Sequence, residues 1–251
     1  MDYKNTLFYY CKLDTAIEHI LPKREILLNS IEKTNDPREN EVFWFSGQFD
    51  SDSQNHNLEE NNKYISKLLR ANTKVTCFSE CHKHHFGYEY AKMWAHYGGN
   101  HSGVCLQIDK NEFLLENKEI IKNSFFRRIK YKEFNPTKPQ KPHKNVDYIR
   151  MREVGEEEYL FKEFVKDNLE YLFFTKDAEW KSEREIRLLH FGDSKIAEFC
   201  SIKKSLKHIY IGSRFNTNYI PSIMKLAENI GVSQMQYTEV RLTAREIQSS
   251  K

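Results

Sequence analysis

A chain of 251 residues can bury a sizeable core as one large unit or two small ones. Aromatic residues at 14 % with only nine glycines and six prolines exclude a disordered or collagen-like chain. A formal net charge of +3 is too slight to point to nucleic acid, and no apolar run approaches about 18 residues, so a cytoplasmic protein without a membrane partner is expected.

Leu7–Cys11 predicts a first strand. Asp14 can cap a short helix reaching His19, because its carboxylate can accept from free amides of the first turn. Ile26–Ser30 predicts a second strand that closes a strand–helix–strand unit. Asn35-Asp36-Pro37 is a turn signal, since Pro37 forces residue 36 out of helical geometry. Residues 50–63, rich in Asp, Ser, Asn and Glu, predict a surface loop, and Tyr64–Leu69 the end of a helix. Lys74–Ser79 predicts a strand, Glu89–Tyr97 a short helix stopped at Gly98-Gly99-Asn100, and Gly103–Asp109 another strand.

Phe125–Tyr131 predicts a strand, and residues 134–146, with Pro136, Pro139 and Pro142, an exposed loop. Tyr148–Phe174 carries Leu160, Phe161, Phe164, Leu169 and Leu172 at spacings that predict one long helix. Three strands follow at Ile186–His190, Ala197–Ser201 and His208–Gly212, then a helix over Tyr219–Asn229 and a last strand over Met235–Val240. The whole predicts an α+β fold over 1–251, a mixed central β-sheet with inserted and flanking helices. Cys11, Cys77, Cys81, Cys105 and Cys200 are scattered and odd in number, as reduced, buried thiols are.

Trp180-Lys-Ser-Glu183-Arg-Glu185-Ile-Arg187 stands out. Charges at alternate positions before an apolar pair fall on one strand face, and they are costly there unless paired or lining a polar cleft. A simple Glu185–Arg187 pair on an exposed strand explains the spacing equally well. Asn35, Asp36 and Glu39 can aim an amide and two carboxylates at a ligand, or Asn35 or Asp36 can satisfy local backbone in an Asx-turn. Ser79 and Glu80 at a strand end, with Trp94, His96, Tyr97 and His101 after them, suit a small-molecule pocket or ordinary core packing. Cys77, Cys81, His82, His84 and His85 lack the two tight ligand pairs of a structural zinc site, so no metal is assigned. Arg127, Arg128, Lys130 and Lys132, continued by Lys138, Lys141 and Lys144, can track phosphates or form a solvated strand face.

In order along the chain, Phe8-Tyr-Tyr, Asn35-Asp-Pro-Arg-Glu, Cys77-Phe-Ser-Glu, Met93-Trp-Ala-His-Tyr, His101-Ser-Gly-Val-Cys, Trp180–Arg187 and Ile209-Tyr-Ile-Gly resemble the bacterial domain family DUF2971. That family name implies no activity. The layout is also similar, more loosely, to mono-ADP-ribosyltransferases: an aromatic first strand, a helix, a Ser-ended middle strand and a late Glu-x-Glu. The resemblance implies NAD as cofactor, with Glu185 as the catalytic carboxylate that steadies positive charge on the ribose as nicotinamide departs. It implies Glu183 orienting or deprotonating an acceptor, protein or nucleic acid, and Ser79 supporting the ribose or Glu185. Tyr9 or Tyr10 stands where that family presents Arg or His on the first strand, Lys12 being the nearest cation. The Ser-x-Ser of that family is absent from Thr76-Cys-Phe-Ser79. Trp94 or Tyr97 would cover the nicotinamide, Arg187 would hold a carboxylate, and Asn35, Asp36 and Glu39 would border the cleft. Such an enzyme would serve as a toxin or antiviral defence effector. The rival expectations are a non-enzymatic module binding a nucleotide or protein, and a nuclease toxin using His96 and His101 as acid and base.

Overall fold

The computed structural model describes residues 3–40, 43, 47–48, 58–133, 145–193 and 195–247. Its centre is a nine-stranded sheet. The strands are β1 (Thr6–Cys11), β2 (Asn29–Ser30), β3 (Thr73–Glu80), β4 (Val104–Asp109), β5 (Ser124–Arg128), β6 (Glu185–Phe191), β7 (Leu206–Ile211), β8 (Gly231–Tyr237) and β9 (Leu242–Glu246). Across the sheet they run β9-β8-β7-β4-β1-β3-β6-β5, with β2 added against β3. All neighbours are antiparallel except β7 and β8, which the helix Ile220–Ala227 joins as a crossover. The sheet is therefore mixed, with helices inserted between its strands and packed on both faces, and the fold is α+β.

Strand alternation divides the buried residues between the two faces. On one face Leu7, Phe78, Leu106, Ile108, Ile186, Leu188 and Ile209 pack under the helical segments at 15–23, 110–116 and 220–227. The other face is split. At the β4–β7–β8 end, Phe8, Tyr10, Cys105, Tyr210 and Met235 meet Met93 and Trp94. At the β3–β6 end, Val75 and Leu189 meet Ile65, Leu69, Leu160, Phe164, Leu169 and Phe173. Two separate apolar clusters on one sheet face leave a seam between them.

That seam coincides with a gap in the sheet itself. All six residues of β1 pair with β4, but only Leu7 and Phe8 pair with β3, opposite Glu80 and Ser79. Further along β3, Val75 and Lys74 pair with β2 instead. Between these points Thr76, Cys77 and Phe78 have ladder partners only in β6. Strands β1 and β3 thus part after two residue pairs.

Several elements differ from the sequence reading. Residues 58–63 are not loop but the first turns of a helix, Leu58–Ala71, whose apolar Ile65 and Leu69 dock into the core with Asn62 buried beside them, while Glu59 and Glu60 face outward. Residues 50–57 lie outside the described residues, as do 134–144 of the expected exposed loop, including Lys138, Lys141 and Lys144. The expected strand at 26–30 is two short ones with different partners, Glu25–Leu27 against Phe199–Ser201 and β2 against β3. The long helix breaks at Gly155, whose φ of 95° is open to glycine and strained for other residues. Helical segments at Lys110–Glu116 and Lys118–Lys122, a short strand Thr175–Asp177 and the final strand β9 are additional. No helix among the described residues is long and apolar enough to cross a membrane.

Candidate functional site

The gap between β1 and β3 opens into a cavity of about 190 Å³. Its walls include Phe8, Tyr9 and Tyr10 from β1, Thr76–Ser79 from β3, and Asn29 and Ser30 from β2. Lys33, Thr34 and Asn35 stand at its rim, all at least partly exposed, and Met93, Tyr97, Lys176, Glu183 and Glu185 close the remaining side.

Glu185 opens β6 directly opposite Ser79 of β3, and Arg187 follows two residues on, on the same face. Glu183 reaches the site differently. It ends a 3-10 helix, Ala178–Glu183, and Arg184 then takes a left-handed conformation (φ 50°) that turns the chain into the strand. The Ser79 hydroxyl donates to the Glu183 carbonyl at 2.8 Å, and the Glu185 amide donates to the Tyr131 hydroxyl at 2.9 Å. Both carboxylates are 5 % exposed. Their backbone is thereby pinned from two strands and a neighbouring segment.

Lys176, on Thr175–Asp177, completes the group and is 2 % exposed. Its ammonium lies 2.7 Å from Glu185 Oε2 and 3.0 Å from Glu183 Oε2. Arg187 Nε donates to Glu185 Oε1 at 2.7 Å, and Tyr97 donates its hydroxyl proton to Glu183 Oε1 at 2.6 Å. Arg187 is fully buried, donates also to the Phe173 carbonyl at 2.9 Å, and bonds Glu39 through Nη1. It bridges two carboxylates rather than forking onto one. Charges so deeply buried persist only when paired, and here each is.

The electrostatics separate the two glutamates. Burial pushes Glu185 up, but Arg187 and Lys176 outweigh it and hold its carboxyl well below the usual carboxylate range. Burial pushes Glu183 up, and its ammonium and Tyr97 partners do not cancel that with the Glu185 charge beside it. Lys176 loses to burial less than it gains from Glu185 and Glu39, so it stays an ammonium. The site therefore presents one firmly ionised carboxylate and one that takes up a proton more readily.

Of the residues singled out from sequence, Tyr9, Tyr10, Asn35, Ser79, Tyr97, Glu183 and Glu185 share the cavity wall. Glu39 and Arg187 lie behind Glu185 as its support. Asp36 is 2 % exposed and accepts from the Arg38 amide at 3.0 Å, an Asx-turn. Trp94 does not line the cavity: it is fully buried, edge-on to Tyr10, with its indole N–H donating to the Tyr88 carbonyl. His96 sits on a separate outer groove with Lys92, Glu179, Trp180 and Ser182, which shares Met93 and Glu183 with the inner cavity. His101 lies beside Tyr237, so the two histidines have different surroundings. Arg128 is paired with Glu80, and Lys130 and Lys132 with Glu170, while Arg127 lies over the Phe125 ring. Among the described residues no group of three or more His, Cys, Asp or Glu is placed to hold a metal ion.

Neither Lys176 nor Tyr131 is assigned to this site by the sequence. The signal for Lys176 is a lone cation one residue beyond the apolar run Tyr171-Leu-Phe-Phe, three residues before Glu179 and four before Trp180; a buried charge there needs carboxylate partners. Tyr131 bonds backbone, a role that no residue pattern marks.

No curated protein and no solved structure matches the chain. Of the segments that carry the family resemblance, Met93–Tyr97, His101–Cys105 and Trp180–Arg187 lie where a family model matches, and the others lie outside it. Over residues 93–188 the chain matches DUF2971, a protein family described as being of unknown function.

Proposed function

We propose that the chain is an NAD-dependent enzyme with ADP-ribosyltransferase-like chemistry. In this reading the bond between ribose C1′ and the nicotinamide nitrogen breaks, and its electron pair leaves with nicotinamide, now neutral. The positive charge left on the ribose is met by the Glu185 carboxylate. A fixed anion beside a developing cation stabilises the transition state more than the ground state. The acceptor, water or a group on a protein or nucleic acid, adds at C1′ and yields its proton to Glu183.

The observation that carries this reading is the firmly ionised, buried Glu185 at the end of a cavity, directly opposite Ser79 on the neighbouring strand. Glu183, two residues away on the same wall, is the carboxylate more ready to take a proton. The cavity of about 190 Å³ suits a single ring and its sugar edge rather than a whole dinucleotide, whose remainder would lie outward past Asn35 and Lys33. Incubation with NAD tests the reading: nicotinamide is released by the wild type and falls by about a hundredfold or more in Glu185→Gln, the scale of losing one transition-state electrostatic contact. A wild type that neither binds NAD nor releases nicotinamide ends it.

One observation favours a second reading, a non-enzymatic nucleotide-binding module. Both oxygens of Glu185 already have partners within the protein, as in a purely structural ion cluster. On that reading Glu185→Gln lowers stability, nucleotide binding persists, and no turnover accompanies it.

A further inference from the structure

Lys176 occupies a position that packing alone does not require. A Met of similar length would bring no charge to be compensated, yet here an ammonium is placed 2 % exposed, in the cavity wall. It touches one oxygen of each carboxylate, Oε2 of Glu185 and Oε2 of Glu183, and lies 5.6 Å above the Trp180 ring. Each carboxylate is held on its other oxygen by a different donor, Arg187 for Glu185 and Tyr97 for Glu183. The four contacts fix the rotation of both carboxyl planes. An ammonium has three N–H donors, and two are accounted for by these glutamates.

Resting on the reading above, we propose that Lys176 is a positioning residue: its ammonium clamps Glu183 and Glu185 side by side and lets both remain anions facing the cavity. Two carboxylates so close would otherwise share a proton, and one would be neutral near pH 7. The charged or titratable groups around Lys176 are Glu183, Glu185 and Glu39, with Arg187 opposing them, the Cys77 thiol beside Glu185, and Tyr97, Tyr131 and Asp36 at the edge of the cluster. The carboxylates outnumber the cations, so removing Lys176 leaves the group with more uncompensated negative charge. The protonation of the pair then moves to higher pH.

The test compares wild type, Lys176→Met and Lys176→Arg. In the nicotinamide-release assay, Lys176→Met is expected to lower kcat by about tenfold or more with KM changed by less than about threefold, because a clamp on reacting groups acts on the chemical step. The acid limb of the rate profile should move up by about one pH unit or more, and Lys176→Arg should keep the limb in place. A uniform loss with an unmoved limb assigns Lys176 a structural role and overturns the proposal. If the wild type releases no nicotinamide, the NAD reading fails separately. The clamp is then judged by carbon-13 titration of the Glu183 and Glu185 carboxyls, which must shift upward in Lys176→Met and is refuted if they do not. Should Lys176→Met fail to fold, Lys176→Met with Glu183→Gln removes one charge of each sign. Its Glu185 carboxyl must still titrate higher than in Glu183→Gln alone, and equal values overturn the proposal.

Discussion

Replacing Arg187 by Met removes the hub of the buried charge network, and its cost follows from the contacts. The guanidinium is fully buried and serves Glu185, Glu39 and the Phe173 carbonyl. Deleting one partner of a buried ion pair costs about 3–5 kcal/mol, because the other charge is left uncompensated. Glu185 keeps Lys176, which argues for the lower half of that range, whereas Glu39 and the Phe173 carbonyl lose this partner, which adds about 1 kcal/mol. A loss of about 4 kcal/mol is expected, a large share of the roughly 5–15 kcal/mol that keeps a domain folded. At about 2–4 °C per kcal/mol for a chain of this size, Tm falls by about 8–16 °C. Urea unfolding followed by circular dichroism and by tryptophan fluorescence measures it. Adding Glu39→Gln to Arg187→Met should recover part of the loss, since one stranded charge goes. The pH dependence has a definite sign. Glu185 is depressed in the fold, so its stabilisation is complete above the ordinary carboxylate value of about 4.3 and is lost as pH falls below it. The gap between wild type and Arg187→Met therefore narrows in acid. A variant within about 1 kcal/mol of wild type at pH 7 would refute the network as described, since that is the range of exposed pairs.

Gly103→Ala should destabilise by about 1–3 kcal/mol or more in the same urea assay, because an added Cβ would sit 2.3 Å from the Cys11 carbonyl at the end of β1. Cys11 and Cys200 are buried, and burial pushes each thiol up to about 12. Neither should react with Ellman's reagent in native protein at pH 8, and both should react promptly in guanidinium; fast native labelling of either would contradict their placement. If the enzyme acts as a toxin, expression of wild type arrests growth and expression of Glu185→Gln does not, as plating efficiency shows.

Much of this site was readable because chemistry leaves a local mark. Glu183, Glu185 and Arg187 were visible as charges in an otherwise apolar strand context, and Ser79 as a polar end to an apolar strand. Their pairing could not be read, since Arg187 reaches back to Glu39, 148 positions earlier, and Glu183 enters through a 3-10 turn rather than as a strand residue. The gap between β1 and β3 is likewise silent in sequence. Both strands have the apolar run of a fully paired strand, and only the claim of β2 on Val75 and Lys74 parts them. Trp94 shows an ambiguity that sequence leaves open: an aromatic beside polar residues suits a ligand pocket or core packing, and its indole N–H is spent on the Tyr88 carbonyl within the core. The helix at Leu58–Ala71 was hidden by its polar start, Glu59-Glu-Asn-Asn62, of which Asn62 is nonetheless buried, with Ile65 and Leu69 too few to declare its period before Tyr64.

Soaking crystals of the protein with NAD or a non-hydrolysable analogue asks the central question directly. The nicotinamide ring is expected between β1 and β3, with a ribose hydroxyl within hydrogen-bond reach of Glu185. Density for the dinucleotide on another surface, or an empty cavity at saturating ligand, would contradict it.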